Sequence, residues 1–198
     1  GAAMICPEYR DFWAGAERAD SIVMNPHKWL GAQFECSLHL IRDPAALIRT
    51  VGLRPDYLQT LGADDIVNYN EWSIGLGRRF RALKLWFLIR AEGLEGLRSR
   101  LRNHITWTAE AADLLAQDPS LQIVTAPNLA LFTFAHRAGE AATQRLINAL
   151  NDDGRIYLTQ TDHQGRFVIR MTVGQWDTSR DDVLLACRLI CEFAAREG

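Results

Sequence analysis

The corner around Pro26 is the feature that most constrains how this chain folds. It lies in the stretch VMNPHKWL, residues 23–30. Pro26 fixes its own φ angle and lacks an N–H, and it moves the preceding residue toward extended conformations. A helix therefore cannot run through this point. The apolar run before the corner predicts a short buried strand over residues 20–24, and the run after it predicts a second strand over residues 34–42.

Lys28 stands in this corner between an imidazole and an indole. A lysine held among aromatic and apolar groups loses hydration, which lowers its pKa from about 10.4 and makes a neutral, nucleophilic amine accessible. Schiff-base chemistry with an aldehyde needs such an amine. The local pattern by itself favours the alternative, a surface lysine whose stem packs on Trp29.

Periodicity predicts the remaining elements. Asp43-Pro44 suits the start of a helix over residues 43–50. Regular periodicity then disappears until about Trp72, and helices are predicted after Gly75–Arg79 and from Leu94 to about Gln117. The rest of the chain resembles a small α/β domain, with strands at 121–125, 129–135, 155–161 and 166–173 and helices at 140–152 and 180–196.

Composition excludes several classes of function. The net charge of -2 gives no electrostatic case for a nucleic-acid partner. No run is apolar enough for a transmembrane segment, and no cysteine or histidine spacing fits a metal site, so neither membrane nor metal is expected. Cys187 and Cys191 lie one helical turn apart on an apolar face, which indicates packed thiols in a reducing, cytoplasmic compartment.

The motif NPHKWL, residues 25–30, resembles the cofactor-lysine signature of the pyridoxal-phosphate-dependent group II amino-acid decarboxylases, in the aromatic-L-amino-acid decarboxylase branch. Three further stretches resemble the same family in the same order: residues 3–21, 33–43 and 68–97. The last hundred residues are similar to its small C-terminal domain more loosely. The resemblance implies an α/β protein of the type I, aspartate-aminotransferase-like transferase fold, working as a homodimer in which both subunits build each site.

The resemblance also implies a division of the chain. Residues 1–92 would be the C-terminal part of the large coenzyme-binding domain, with a mobile loop over about 51–72. Residues 93–198 would be the small C-terminal α/β domain with its leading helix. The first ten residues resemble a point well inside the family's large domain, so the family's upstream aspartate, stacking histidine and most phosphate ligands are missing. We therefore expect the C-terminal part of a longer enzyme, inactive by itself.

Three residues of the motif are implied in binding pyridoxal 5'-phosphate. Lys28 would hold the coenzyme covalently, while His27, near the phosphate, and Asn25 would contact it. The coenzyme supplies an electron sink when carbon dioxide leaves. His27 also fits a hydrogen-bonded residue at a strand end.

Tyr57 is the implied proton donor. The frame Arg54-Pro55-Asp56-Tyr57-Leu58 resembles the family's mobile catalytic loop, and a phenol with a pKa near 10 can deliver a proton once such a loop excludes water. In the resembled relatives that make aldehydes, the corresponding residue is phenylalanine. A tyrosine here therefore favours plain decarboxylation. An ordinary loop tyrosine is the alternative.

Three residues are implied in the substrate pocket. Gly77 stands where related histidine decarboxylases carry serine and leaves room for a larger aromatic ring, and Trp29 also favours aromatic substrates. Arg170 alternates with the apolar residues of its strand, so it could point into a cleft and bind a substrate carboxylate. A structural ion pair with the large domain is an equally good account of Arg170. The start of the helix after Gly75–Arg79 could bind an anion with the help of its arginines, but a solvated helix face with partner salt bridges is at least as good an account of Arg81 and Lys84.

The sequence thus predicts a parent enzyme that decarboxylates an aromatic L-amino acid to its amine and carbon dioxide. Two alternatives remain. One is another pyridoxal-phosphate reaction of the family, glutamate-type decarboxylation or aromatic aldehyde synthesis. The other is a non-catalytic fragment that serves assembly or binding.

Overall fold

A computed structural model describes residues 1–53 and 66–196. They form a mixed α/β structure in two units, residues 1–97 and residues 98–198. The sequence placed its domain boundary between residues 92 and 93. Among the described residues, no helix is both long enough and apolar enough to cross a membrane.

Unit 1, residues 1–97, is built around a two-stranded antiparallel hairpin. Strand β1 spans Ser21–Met24 and β2 spans Leu38–Ile41, with Ser21 opposite Ile41 and Met24 opposite Leu38. Helix α1 follows at Pro44–Val51, where the Asp43 side chain accepts from the Ala46 N–H at 3.1 Å, as the Asp-Pro start predicts. Short 3-10 helices occupy Ala2–Ile5, Pro7–Trp13, Ala16–Arg18 and Tyr69–Trp72.

Two predictions for this hairpin were wrong. Strand β1 is not buried, since Val23 is 64% exposed and no residue of the strand is fully covered. Strand β2 begins at Leu38 instead of residue 34. The physical reason for the later start is that the backbone of Cys36 pairs with His27 in the corner and not with β1.

Helix α2 runs over Arg81–Ala116 and is interrupted at Gly93, whose φ of 66° and ψ of 168° are not helical. Glycine adopts this positive φ without steric cost. The interruption separates two helical stretches, so the prediction of two successive helices meeting near Leu94 is confirmed. Many large apolar side chains of the first stretch are exposed, namely Leu83, Trp86, Phe87 and Ile89, and so is Phe80 directly before it.

Unit 2, residues 98–198, contains one four-stranded antiparallel sheet in the order β3-β4-β6-β5. Its strands are Leu121–Asn128, Leu131–His136, Thr159–His163 and Arg166–Thr172 for β3, β4, β5 and β6. Helices α3, Glu140–Asp153, and α4, Arg180–Ala194, complete the unit. Strand β5 begins four residues later than residue 155, because the Asn151 side chain bonds both backbone groups of Leu158 at 2.8 and 3.0 Å.

The core of unit 2 lies on one face of this sheet. Phe132 and Phe134 of β4 are fully buried there, and alternate residues of β6 join them as the strand pattern predicts. Helices α2, α3 and α4 supply the other side of the core with Leu115, Leu146 and Ile190 among others. The predicted packing of Cys187 is confirmed, since burial leaves it 4% exposed and raises the pKa of its thiol to about 12.

Candidate active site

The corner predicted around Pro26 is a compact turn between β1 and β2. The Lys28 N–H donates to the Asn25 carbonyl at 3.0 Å, and the Lys28 carbonyl accepts from the Gly31 N–H at 3.0 Å. The Ala32 N–H closes the turn on the Pro26 carbonyl at 2.9 Å. Gly31 has a φ of 89°, a left-handed conformation that favours glycine. These bonds fix the backbone from which the lysine side chain projects.

The side chain of Lys28 is exposed. The prediction of a desolvated lysine is therefore wrong for this chain, because the turn buries Pro26 and Leu30 and leaves the lysine outside. Within residues 1–53 and 66–196, the Lys28 ammonium group makes no hydrogen bond or ion pair. The backbone of Lys28 is thus fixed by hydrogen bonds, while its ammonium group has no partner among the described residues.

His27 is anchored through one side of its ring. Nδ1 lies 2.7 Å from the Cys36 carbonyl oxygen and 3.2 Å from the Cys36 nitrogen, and the same carbonyl accepts from the His27 N–H at 3.2 Å. The contact with the Cys36 carbonyl is a hydrogen bond when Nδ1 carries the ring proton, whereas the contact in which the Cys36 N–H donates to Nδ1 needs the other tautomer. The carbonyl contact is the shorter of the two and favours a proton on Nδ1. Nε2 is then the ring nitrogen left to meet a ligand, as an acceptor on the neutral ring or a donor on the protonated one.

The other two motif residues are half-buried. The Ser37 hydroxyl donates to Oδ1 of Asn25 at 2.7 Å, which fixes the orientation of that amide and leaves its NH₂ as the remaining donor. Trp29 lies between Lys28 and the buried Leu30 and is partly covered. The structure therefore brings Asn25, His27, Lys28 and Trp29 together in one turn.

Residues 34–36, which we call the strap, follow this turn in the sequence and contact the start of α2. Two N–H groups of Arg81 converge on Oε1 of Glu35, the Nε contact being 3.1 Å. Lys84 donates to the Phe34 carbonyl at 3.3 Å, and the Cys36 thiol lies 3.7 Å from the Arg81 carbonyl. Arg81 thus forms an ion pair within the described residues, and Lys84 contacts a backbone carbonyl, both of which are compatible with a solvated helix face that carries salt bridges.

Sequence reasoning missed Glu35. Hydrogen bonding to Arg81, reinforced by the charge of the same guanidinium, lowers the pKa of this carboxyl, so Glu35 stays ionised. The partners are 46 residues apart in sequence. The local sequence contained one indication of Glu35: it is a carboxylate directly before Cys36, within residues 33–43, which resemble the family.

Gly77 lies in an exposed stretch before α2. A Cβ atom built on it would meet nothing within 4 Å, so the described residues leave open space at this position. The role of Gly77 stays a prediction.

Arg170 belongs to unit 2 and is half-buried on β6. It lies opposite Thr133 of β4 and Thr159 of β5, on the sheet face away from the core. In the part of the chain that the structure describes, its guanidinium forms no hydrogen bond or ion pair. Tyr57, the predicted proton donor, lies outside the described residues.

Unit 2 also contains a buried histidine on α2. His104 of α2 is fully buried, and desolvation, aided by the positive charge of Arg100, lowers its pKa to about 4. It is therefore neutral at pH 7. Within the described ranges, no group of three or more histidine, cysteine, aspartate or glutamate side chains is arranged to hold a metal ion.

Comparisons with known proteins agree with the motif. The model of the pyridoxal-dependent decarboxylase conserved domain matches residues 1–137. Tyrosine decarboxylase 2 of Arabidopsis thaliana is 39% identical over 99% of this chain and 38% of its own length. Phenylacetaldehyde synthase of the same organism is 37% identical over 98% of this chain and 42% of its own.

A crystal structure of Oryza sativa TDC with PLP and tryptamine superposes with a TM-score of 0.94 at 33% identity, covering 98% of this chain and 42% of that one. The chain thus spans about 40% of the length of the relatives that it matches. The relatives include both decarboxylases and an aldehyde synthase that act on aromatic compounds. The chain belongs to the pyridoxal-dependent, group II decarboxylase family, in its aromatic amino-acid branch.

Proposed function

We propose that the full-length protein carrying this chain decarboxylates an aromatic L-amino acid to the corresponding amine and carbon dioxide, with pyridoxal 5'-phosphate as its coenzyme. The observation that carries the proposal is the Lys28 turn. It holds the family's lysine on a hydrogen-bonded backbone with its amine exposed and without a partner among the described residues. Relatives that are 36–39% identical include tyrosine and tryptophan decarboxylases.

The residues of the turn fit the coenzyme. Lys28 offers a primary amine for its aldehyde, Nε2 of His27 a nitrogen for its phosphate, and the Asn25 NH₂ a donor. When bound, pyridoxal phosphate supplies an electron sink for the electrons left behind by departing carbon dioxide. Lys28 would hold the coenzyme through its amine, and His27 and Asn25 would orient it.

The remaining roles concern substrate and proton. Tyr57 donates a proton to the substrate carbon from which the carboxyl group has left, as its resemblance to the catalytic-loop tyrosine implies. Arg170 binds the substrate carboxylate, a role that suits a half-buried guanidinium without a partner in the described residues. Gly77 and Trp29 line the space for the aromatic ring.

We further propose the type I, aspartate-aminotransferase-like fold for the whole protein, with residues 1–92 in the large domain and 93–198 in the small domain. A homodimer is part of this proposal. Its support is the exposed apolar surface of the first stretch of α2, where Trp86 and Phe87 are 55% and 57% exposed. Apolar surface of this kind marks a contact with other protein. Substituting both residues by glutamate and measuring mass by light scattering tests the dimer.

Borohydride reduction of the full-length protein with pyridoxal phosphate tests the central proposal. Lys28 and Lys84 are the two lysines of this sequence. We expect the label on Lys28, its loss in Lys28→Ala, and its retention in the matched variant Lys84→Arg. A label on another residue, or none, contradicts the proposal. Assays of amine and carbon dioxide over a panel of amino acids then define the substrate, and activity on glutamate alone would refute the aromatic assignment.

Aromatic aldehyde synthesis is the second candidate. The observation that favours it is the 37% identity to phenylacetaldehyde synthase. Tyr57 argues against it, because the resembled aldehyde-forming enzymes carry phenylalanine at that position. Product analysis separates the two: amine without hydrogen peroxide supports decarboxylation, whereas aldehyde with hydrogen peroxide supports the second candidate.

A further inference from the structure

The orientation of the His27 ring depends on the strap. Both backbone groups of Cys36 face Nδ1, and the Cys36 carbonyl also accepts from the His27 N–H. The ring of Phe34 stands edge-on to the imidazole with 5.0 Å between centroids. A shift of the strap would therefore change the partner of Nδ1, and with it the direction of Nε2 and the ring nitrogen that carries the proton.

Only one residue of the strap, Cys36, is fixed by burial among other residues. Cys36 is buried, but Phe34 is 78% exposed and the Glu35 side chain is also largely exposed. The polar contacts with α2 are what fix the exposed part. Arg81 places two N–H groups on one oxygen of Glu35, and Lys84 bonds the Phe34 carbonyl at 3.3 Å.

We propose that Glu35 and Arg81 are positioning residues for His27: their ion pair clamps the strap to the first turn of α2 and so keeps the Cys36 carbonyl on Nδ1 and Nε2 free for a ligand. The pair acts through the strap and touches no reacting atom. That the ligand of Nε2 is the coenzyme phosphate rests on the proposed function. The clamp itself rests on contacts within this chain.

The geometry favours a clamp over an incidental surface pair. Converging N–H groups of one guanidinium restrain both partners more than a single contact does. Two other contacts join the same two segments: Lys84 with the Phe34 carbonyl, and the Cys36 thiol with the Arg81 carbonyl. The entropy lost when the strap and the start of α2 are ordered is therefore offset by several contacts and not by one. By contrast, Arg49 and Asp43 in the same unit make one long contact of 3.8 Å between exposed side chains.

Nitrogen NMR of the histidine rings in the full-length protein without coenzyme tests this inference, since it reports which ring nitrogen carries the proton. His27→Asn assigns the signal. We expect unmodified His27 to show a protonated Nδ1. In Glu35→Gln and in Arg81→Gln its signals should move toward a mixture of tautomers, and exchange of the strap amides should accelerate roughly two- to fivefold.

Two controls make the result specific. Arg49→Gln removes the long surface pair and should leave the His27 signals unchanged. The charge-reversed double variant Glu35→Arg with Arg81→Glu should restore the Nδ1-protonated signal. Unchanged His27 signals in both single variants, or a double variant that stays folded by circular dichroism without restoring the signal, would overturn the clamp.

The failure of this inference is distinguishable from failure of the proposed function. The ring signals are measured without coenzyme, whereas the coenzyme is tested by borohydride labelling of Lys28 in the full-length protein. A labelled Lys28 with insensitive His27 signals overturns the clamp alone. Sensitive His27 signals with no label overturn the coenzyme assignment alone.

Discussion

The two units bury their large apolar side chains to very different extents. Unit 2 places Phe134 at 0% exposure in a core that strands β4 and β6 share with three helices. Unit 1 leaves Phe34 at 78% exposure beside the candidate turn. Unit 2 thus has a core of large apolar side chains, whereas unit 1, which carries the candidate site, buries mainly small apolar residues.

This contrast bears on the chemistry. A lysine that binds an aldehyde coenzyme benefits from a dry surrounding, because desolvation favours the neutral amine. The described residues of unit 1 do not supply that surrounding. In the proposed enzyme we expect this surrounding to come from protein that covers the exposed apolar surface of unit 1.

The largest expected difference in stability between the two units is seen by replacing one phenylalanine in each. Phe134→Ala removes a fully buried ring and should lower the free energy of unfolding by about 3–5 kcal/mol. Phe34→Ala removes an exposed ring that contacts His27 at its edge and should cost less than about 1 kcal/mol. Urea unfolding followed by circular dichroism measures both. Equal losses would show that the units do not differ as described.

The second effect is acid destabilisation centred on unit 2. His104 has a pKa of about 4 in the folded chain against about 6.5 when unfolded, so the unfolded state binds the extra proton between these values. Stability is therefore complete above pH 6.5 and is lost as the pH falls toward 4, by about 3 kcal/mol at most. Urea midpoints measured across this window give the slope.

A matched pair of variants isolates the contribution of His104. His104→Gln should flatten the dependence of stability on pH between 4 and 6.5, even if it lowers stability at every pH. His39→Gln replaces an exposed histidine of unit 1 and should leave the slope unchanged. A slope that survives in His104→Gln would mean that other groups produce the acid sensitivity.

Local sequence patterns were sufficient for much of the fold. The alternation of Phe167 to Val173, the Asp43 cap and the break near Leu94 are all present, because each depends on neighbouring residues. The exposure of Lys28 agrees with the surface lysine that the local pattern by itself favoured. The exposure of β1 was not predictable in this way, since burial depends on which segments pack over the hairpin.

The candidate site shows the same limit. The sequence motif brought four residues into one turn and identified the family, because contiguous residues carry that signal. Glu35 and Arg81 were not paired in advance, since no periodicity links residues 46 positions apart. Tyr57 lies outside the described residues, so its role and those of Gly77 and Arg170 stay predictions.

A third, smaller effect compares the helix caps of the two units. Ser179 forms a capping box with Asp182 at the start of α4, whereas Asp43 makes one bond at the start of the shorter α1. Each substitution by alanine should cost about 1 kcal/mol. Because α4 belongs to the core and α1 has no fully buried residue, Ser179→Ala should lower the stability of all of unit 2. Asp43→Ala should accelerate hydrogen exchange in α1 alone, and a general loss of protection in unit 1 would contradict this.

The smallest structural effect is expected at Gly77, where it sharpens the distinction between folding and function. The Cβ of a serine there would meet no atom of the described residues within 4 Å, so Gly77→Ser should change the free energy of unfolding by less than about 0.5 kcal/mol. Gly52→Ser is the matched control, because its Cβ would lie 2.5 Å from the Ile48 carbonyl oxygen and must displace backbone.

In the full-length enzyme, Gly77→Ser should lower kcat/KM for the largest aromatic substrate roughly tenfold relative to smaller ones, as expected for added bulk in a pocket. Equal kcat/KM ratios before and after the substitution would remove Gly77 from the pocket.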